Sequence, residues 1–322
     1  MSIRAIVAVE PGGPEVLKLA EVPDPVAGPG EILVEAAATG VNFIETYQRS
    51  GLYPVSFPFT PGAEGAGRVL AVGDGVAGHA VGDFVATAEA RATYAERFVV
   101  AAEGAVRVPD GIAPEIAAAI PLQGLTAHYL ANSAAHPEPG ETVLVHAGAG
   151  GVGLLLTQLL AARGVRVITT VSSESKRELS LAAGAATVLD YPGFPERVRE
   201  LTDGEGVAVA YDGVGRATFD GSLDSLRVRG ELVLFGGASG PVPPFDLQRL
   251  NSGGSLSVTR PTLTHFLRDA EERAWRYGEL FAAIEAGTLD VRVGATFPLA
   301  EAAAAQTALE GRATTGKVLL TP

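Results

Sequence analysis

The stretch His146–Gly153, HAGAGGVG, carries the strongest structural signal in the chain, because half of its residues are glycine. The apolar run TVLV just before it predicts a strand, and VGLLLTQLLAARG predicts a helix with Gly164 as its cap. Gly148, Gly150 and Gly153 thus form a G-x-G-x-x-G motif between a strand and a helix. Such glycines allow a tight turn, a close approach of backbone to a pyrophosphate, and close packing of helix on strand. The motif predicts a dinucleotide site; a packing turn in a sheet without a ligand is the alternative.

The composition limits the class of protein. The chain has 322 residues, enough for about two domains, and 47% apolar against 19% charged residues is typical of a globular protein. No apolar run approaches the roughly 18 residues that a membrane span needs, and the N-terminus has no signal-peptide core. The formal net charge of −13 disfavours nucleic acid and anionic membranes as partners. We expect a soluble cytoplasmic protein.

The texture of the sequence changes along the chain. Residues 1–110 consist of short strand-like runs separated by Gly and Pro, which predicts a β-rich barrel or sandwich. From about Pro121 strands and helices alternate, with residues 216–230 read as a helix and 231–240 as the strand after it. This alternation predicts an α/β fold with a doubly wound parallel sheet of the Rossmann type. Residues 291–322 return to short strands around one helix, and we expect them to rejoin the first domain.

The end of the second predicted strand, TTVSSESK, indicates which dinucleotide binds. An NAD site usually has an acidic residue there for the ribose hydroxyl, but here Ser172 and Ser173 occupy the position and Glu174 comes too late. Lys176 follows, and Tyr191 ends the third strand. Hydroxyls and a lysine suit a 2′-phosphate through charge-assisted hydrogen bonds, so the sequence favours NADPH. The alternative makes Ser173 a helix N-cap and Lys176 a solvated residue of the first turn.

Several motifs in order carry a family resemblance. They are GGPEVL, GVNFIETYQRSGLYP, LQGLTAHYL, VLVHAGAGGVGLLLTQ and VTRP. Together they resemble the quinone oxidoreductases, the zinc-free, zeta-crystallin-like branch of the medium-chain dehydrogenases/reductases, over nearly the whole chain. The resemblance implies a GroES-like catalytic domain at 1–124 and 288–322, a Rossmann NADPH-binding domain at 125–287, and an active site between them. It also implies a homodimer or tetramer paired through the last Rossmann strand, GSLSVTR. Ala161 is one departure, because the family pattern has a basic residue or serine there, and it leaves the resemblance intact.

The residue types of the chain indicate whether it has a zinc site. Zinc-dependent relatives have a His-Glu pair in the segment that matches PGAEGAG, where this chain has Ala63 and Glu64. The chain contains no cysteine, and its five histidines lack metal-ligand spacing, so each is expected to be a surface, packing or capping residue. The sequence therefore predicts no metal site. Without a Lewis acid, alcohol oxidation is disfavoured and reduction of an electron-poor acceptor is favoured.

The resemblance also assigns roles to individual residues. It places Asn42 at the nicotinamide end with Thr126 and Tyr129 nearby. The pyrophosphate loop comprises Gly148, Gly150, Gly151, Val152 and Gly153, and the 2′-phosphate contacts are Ser172, Ser173, Lys176 and Tyr191. The nicotinamide side is held by Gly236, Gly237, Ala238, Ser239, Thr259, Arg260 and Pro261, and Arg312 reaches the cofactor, a surface arginine in a turn being its alternative.

The acceptor pocket is assigned to Tyr47, Tyr53 and Gln123, which complete the candidate catalytic set with Asn42. Aromatic rings suit a flat quinone, and a phenol can hydrogen-bond its carbonyl; tyrosines of the core or rim are the alternative. No acid–base dyad is evident, so we expect water to supply the proton. The sequence thus predicts an NADPH:quinone reductase. An NADPH-dependent enone or alkenal reductase is the enzymatic rival, and a crystallin-like or RNA-binding protein that binds NADPH without catalysis is the other class.

Overall fold

The computed structural model of the protein describes residues 2–322. Its backbone contacts divide it into two compact units. Unit 1 is the N-terminal part up to Leu125 together with Asp269–Pro322, and unit 2 is Thr126–Arg268. The functional domains predicted from the sequence stay a prediction. The second boundary of the units differs from the predicted one by one helix, which packs with unit 1 although the sequence analysis grouped it with the Rossmann domain.

The described residues contain fifteen strands and ten α-helices. The strands are β1 Ser2–Ala8, β2 Leu17–Pro23, β3 Glu31–Val41, β4 Gly65–Val72, β5 Phe84–Thr87, β6 Arg97–Ala101, β7 Ala105–Arg107, β8 Thr142–Val145, β9 Arg166–Val171, β10 Thr187–Asp190, β11 Val207–Asp212, β12 Leu226–Leu234, β13 Ser257–Thr259, β14 Val293–Pro298 and β15 Lys317–Thr321. The helices are α1 Phe43–Arg49, α2 Pro114–Ala119, α3 Pro121–Tyr129, α4 Gly151–Ala162, α5 Glu174–Ala182, α6 Phe194–Leu201, α7 Phe219–Asp224, α8 Gln248–Ser252, α9 Ala270–Glu285 and α10 Ala302–Glu310.

Unit 2 is built on a six-stranded sheet with the order β10-β9-β8-β11-β12-β13, in which every neighbouring pair is parallel. The central strand β11 is buried along its whole length, as expected of a strand covered on both faces. The chain order reverses between β8 and β11, and in open sheets of this kind ligands bind beside the carboxyl ends of the strands at that reversal. The predicted doubly wound sheet is confirmed.

Helix α4 shows why the glycine motif lies where it does. The helix begins at Gly151, and its apolar side chains Leu154, Leu155, Leu156 and Leu160 are buried. It ends at Ala162, and Gly164 caps it as predicted, because Gly164 adopts a left-handed φ of 77° and the Val165 N–H donates to Leu160 O.

One element prediction in unit 2 was wrong. Residues 216–230 were read as a helix, but α7 covers only Phe219–Asp224 and β12 begins at Leu226. The strand is interrupted by an irregularity at Arg229, whose left-handed φ of 61° accompanies a register shift against β11. The polar residues of this irregular segment hid the strand from a pattern search, while Leu226 is fully buried in the core.

Unit 1 contains a β1–β2 hairpin and a seven-stranded sheet with the order β14-β15-β3-β4-β5-β7, in which β6 also pairs with β3. Strand β15, from the C-terminus, pairs antiparallel with β3, from the N-terminal region. The expected return of the C-terminal segment is therefore present as sheet pairing. Within residues 2–322 no helix is both long and apolar enough to cross a membrane.

Candidate functional site

The glycine loop of unit 2 lies at the carboxyl end of β8 and leads into α4. A Cβ on Gly148 would lie 2.6 Å from Thr169 Cβ, and one on Gly153 would lie 2.3 Å from Ala147 O. Contacts this short leave room only for glycine at either position. At Gly150 the nearest atom to such a Cβ is Ala147 O at 3.2 Å, so the backbone there is less crowded by protein. The loop therefore combines a close approach of helix to strand with open backbone at the helix N-terminus, where a phosphate is stabilised.

The residues predicted for the 2′-phosphate lie just beyond β9. Ser172 and Ser173 are exposed, and the Lys176 ammonium donates to Ser172 Oγ at 3.4 Å. The neighbouring acid Glu174 pairs with Arg177 at 3.2 Å within the same helix. This end of the sheet thus offers hydroxyls and an ammonium group, with its acid engaged by an arginine.

Tyr191, the remaining residue predicted for the 2′-phosphate, contacts the glycine loop. Its hydroxyl accepts a hydrogen bond from the Ala147 N–H at 3.2 Å, and its ring lies parallel to the His146 ring with 6.1 Å between centroids. The structure therefore brings Tyr191 to the first turn of the glycine loop. Its part in cofactor binding stays a prediction.

A buried polar chain, which the sequence analysis missed, runs behind this edge of the sheet. His146 Nδ1 lies 2.8 Å from Thr170 Oγ1, and Nε2 lies 2.9 Å from Ser222 Oγ. Ser222 Oγ also donates to Asp212 Oδ2 at 2.9 Å, and Thr218 Oγ1 donates to the same carboxylate. Burial lowers the pKa of His146, and the Asp212 charge acts in the opposite direction. The chain links the ends of β8, β9 and β11 and so fixes the strand ends from which the glycine loop starts.

The loops after β12 and β13 hold the next predicted group. Gly236 is closely packed, since a Cβ there would lie 2.5 Å from Gly213 O. Ser239 Oγ donates to Val214 O at 2.7 Å and accepts from the Ala217 N–H at 2.9 Å, so this hydroxyl braces the loop. Gly237 and Ala238 complete it.

At the end of β13, Thr259 Oγ1 donates to Glu231 at 2.8 Å; beyond the strand, Arg260 donates to Leu234 O at 2.9 Å and Pro261 is buried. Tyr129 is buried and stacked on Phe266 at 4.4 Å, and Thr126 is buried one turn earlier in α3.

In unit 1, Asn42 belongs to a buried ionic cluster. The side-chain Nδ2 of Asn42 donates to Glu64 Oε2 at 2.8 Å, and its Oδ1 accepts from Lys317 Nζ at 2.8 Å. Lys317 also donates to Glu64 Oε2, and Glu64 Oε1 accepts from the Leu122 N–H at 2.7 Å. Glu64 is 0% and Lys317 1% exposed. The geometry places Asn42 at the N-terminus of α1 with its amide orientation fixed.

Glu45 extends this cluster by one more carboxyl group. It is 1% exposed, its Oε2 accepts from the Asn42 backbone N–H at 2.5 Å, and its Oε1 has no hydrogen-bond partner among the described residues. Burial raises the pKa of Glu45 to about 8, against the attraction of Lys317. The side chain is therefore protonated at neutral pH, and it is an acidic group of the unit that the sequence analysis did not single out.

The remaining candidates of unit 1 lie on and after α1. Tyr47 is half-buried, and its ring lies 5.3 Å from that of Tyr53, which is 39% exposed. The Tyr53 N–H donates to Tyr47 O at 2.9 Å, so the two tyrosines form one aromatic surface. Gln123 is half-buried in the first turn of α3. Arg312 is exposed at a left-handed φ of 56° in the turn after α10.

The residues of unit 1 do not fit a zinc ion. In the part of the chain that the structure describes, no three side chains of the ligand types converge as a metal-ligand set. Glu64, the acidic residue that zinc-dependent relatives share, has its two oxygens occupied by Lys317, Asn42 and Leu122. A cation at Glu64 would have to displace the ammonium of Lys317.

The doubly wound sheet with its glycine loop, and the β-rich unit completed by the C-terminal strand, define a medium-chain dehydrogenase/reductase. Residues 28–135 match the alcohol dehydrogenase GroES-like domain, and residues 151–276 match the family described as zinc-binding dehydrogenase. The Pseudomonas aeruginosa quinone oxidoreductase is 47% identical over 315 residues, covering 97% of both chains. The chain belongs to the quinone oxidoreductase family.

Two further relatives bear on the chemistry. A mycobacterial protein solved in complex with NADPH is 54% identical, with a TM-score of 0.97 over 99% of this chain and 100% of that one. The 2-haloacrylate reductase of a Burkholderia species is 38% identical over 99% of both chains.

Proposed function

We propose that the protein is an NADPH-dependent reductase of quinones. The observation that carries the proposal is that two features occur at neighbouring strand ends. The glycine loop follows β8, and the hydroxyl of Ser172 with the ammonium group of Lys176 follows β9. Membership of a family whose relatives are named quinone oxidoreductases supports the acceptor class.

The residues of unit 2 suit NADPH in two places. The open backbone at Gly150 and the N-terminus of α4 suit the pyrophosphate. Ser172 and Lys176 suit the 2′-phosphate because an ammonium group and a hydroxyl donate to it together. The mycobacterial relative solved in complex with NADPH supports the choice of cofactor.

The residues of unit 1 suit an electron-poor acceptor. NADPH supplies a hydride when bound, and one hydride with one proton converts a quinone to its hydroquinone. Tyr47 and Tyr53 offer an aromatic surface with two phenol groups for a planar carbonyl compound. Asn42 and Gln123 add neutral amides, and no metal-ligand set lies among the described residues of the unit to acidify an alcohol. Catalysis then rests on positioning, which can contribute several kcal/mol.

The 2-haloacrylate reductase among the relatives favours one second candidate function. An activated carbon–carbon double bond is also an electron-poor hydride acceptor. Reduction of an α,β-unsaturated carbonyl compound would use the same hydride, with the proton going to carbon.

We also propose a homodimer that pairs through β13. This strand is the edge of the six-stranded sheet, with β12 as its neighbour on one side. An open strand edge in unit 2 offers unpaired backbone groups to a second copy of the chain.

Parallel assays separate the two substrate classes. NADPH consumption is followed with a benzoquinone and with an α,β-unsaturated ketone, in the wild type, Tyr53→Ala and Leu52→Ala. Leu52 is a matched control because it directly precedes Tyr53 and is also exposed, at 48% against 39%. We expect faster turnover of the benzoquinone, and a loss in Tyr53→Ala that Leu52→Ala does not show. Faster turnover of the enone would replace the quinone reductase with the second candidate, and no consumption with any acceptor would support a binding protein.

A further inference from the structure

The Glu64–Lys317 ion pair lies at a junction of three elements of unit 1. Glu64 precedes β4, Lys317 begins β15, and the pair contacts Asn42 at the start of α1. The second oxygen of Glu64 accepts from the Leu122 N–H in the first turn of α3. One carboxylate therefore ties the starts of two helices, and these carry Asn42 and Gln123.

The backbone makes room for the pair at one glycine. A Cβ on Gly40 would lie 1.9 Å from Glu64 Oε2 and 2.6 Å from Lys317 Nζ. The φ of Gly40 is not in the left-handed region, so glycine is needed there for space alone. The ion pair can therefore lie beside Asn42 only because this position of β3 has no side chain.

The two charges also decide which way the Asn42 amide faces. The carboxylate can only accept and the ammonium can only donate, so Nδ2 must face Glu64 and Oδ1 must face Lys317. One N–H of the amide is then committed to Glu64, and the amide has a second N–H to donate.

We propose that Glu64 and Lys317 are positioning residues that fix the Asn42 amide, and with it the start of α3, for contact with the acceptor. The inference rests on the proposed function, in which Asn42 and Gln123 lie at the reacting groups. The pair acts through Asn42 and touches no substrate. A buried ion pair is otherwise a poor source of stability, because desolvation offsets its attraction.

Three variants test the proposal against a structural role. Lys317→Met removes one charge, Glu64→Gln with Lys317→Met removes both at similar length, and Gly40→Ala moves the carboxylate while keeping both charges. The control is Glu310→Gln, which weakens the partly exposed Arg49–Glu310 ion pair at the other end of α1.

We expect the double variant to regain the stability lost in Lys317→Met, because no lone charge stays buried. Its kcat with a benzoquinone should still be lower than wild type by a factor on the order of 10 to 100, as misplacement of a reacting group implies. Gly40→Ala should lose kcat in the same way, while Glu310→Gln keeps the wild-type kcat. A double variant that recovers both stability and kcat would show a purely structural pair and overturn the proposal.

A second readout needs no turnover. The chain has three asparagines, Asn42, Asn132 and Asn251, so labelling asparagine with ¹⁵N gives three side-chain NH₂ signals. We expect the Asn42 signal to shift in the double variant and in Gly40→Ala, and to stay unchanged in Glu310→Gln. An Asn42 signal that does not move in either variant would contradict positioning. If the wild type reduces no acceptor but the Asn42 signal still differs between the wild type and these variants, only the proposed function is contradicted.

Discussion

Lys317 donates to the carboxylate of Glu64 with both side chains almost completely removed from water. The two residues are separated by 253 positions in the sequence, and they meet because the C-terminal strand β15 joins the sheet beside β3. The carboxyl group of Glu45 lies in the same cluster, so the cluster holds two acids and one base. When Glu45 is protonated at neutral pH, the cluster holds one negative charge, on Glu64, and one positive charge, on Lys317.

Glu45→Gln should make the protein relatively more stable as pH rises. The pKa of Glu45 is about 8 in the folded protein against an ordinary 4.5, so above pH 4.5 the folded state keeps a proton that the unfolded chain releases. The free energy of unfolding of the wild type should therefore fall relative to the variant by up to about 1.4 kcal/mol per pH unit, until about pH 8. Urea unfolding between pH 5 and 9 measures this, with Glu10→Gln, at an exposed position, as the control. Parallel curves for the wild type and Glu45→Gln would contradict the buried, protonated carboxyl group.

Ser222→Ala should destabilise unit 2 by roughly 1–3 kcal/mol, because buried His146 and Asp212 each lose a hydrogen-bond partner. Ser225→Ala is the matched control one turn along. Its hydroxyl donates only to Gly221 O, which also accepts from the Ser225 N–H and so stays paired. Urea unfolding measures the stability of the two variants. Equal losses of stability would show that the polar chain contributes no more than the single hydrogen bond of Ser225.

Lys176→Ala should weaken NADPH binding and leave NADH binding nearly unchanged. A charge-assisted hydrogen bond contributes roughly 1.5–3 kcal/mol, which corresponds to about 10- to 100-fold in the dissociation constant. Fluorescence titration of both cofactors measures the difference. Lys18→Ala, an exposed lysine on β2 of unit 1, is the control for the loss of one positive charge. Equal weakening of NADPH and NADH in Lys176→Ala would refute the 2′-phosphate assignment.

The proposed homodimer should be sensitive to charge at the β13 edge. Ser257 is exposed in this strand, and Ser257→Asp would bring like charges together across a symmetric edge. Light scattering at micromolar concentration should show a dimer for the wild type and more monomer for Ser257→Asp. Ser252→Asp, an exposed serine of α8, should behave as the wild type. A wild type that is monomeric under these conditions would rule out the dimer.

The glycine motif could be located from the sequence because its signals are local. An apolar run, three glycines at fixed spacing and an apolar helix follow each other within about 20 residues, so the strand, the turn and the helix can each be predicted from neighbouring residues. Gly164 as the helix end was predictable for the same reason, since the left-handed conformation after a helix favours glycine.

The buried cluster of unit 1 could not be located in the same way. Glu64 was recognised only as the remainder of a zinc-ligand motif, and Lys317 was not singled out at all. The available signal was a lysine at the start of the apolar run KVLL, in a chain with only three lysines. Its partner could not be predicted, because the contact depends on the pairing of β15 with β3. Glu45 looked like an ordinary residue of a helix first turn. Its raised pKa comes from burial, which no local pattern reveals.

If this chain uses NADPH to reduce a good hydride acceptor, quinone reduction must far outrun alcohol oxidation. NADPH consumption with a small benzoquinone is measured beside NADP⁺ reduction with simple alcohols, on the same preparation of wild-type protein. We expect rapid quinone reduction, with hydroquinone formed in step with NADPH consumed, and alcohol oxidation slower by orders of magnitude. Alcohol oxidation as fast as quinone reduction, or no quinone reduction at all, would contradict it.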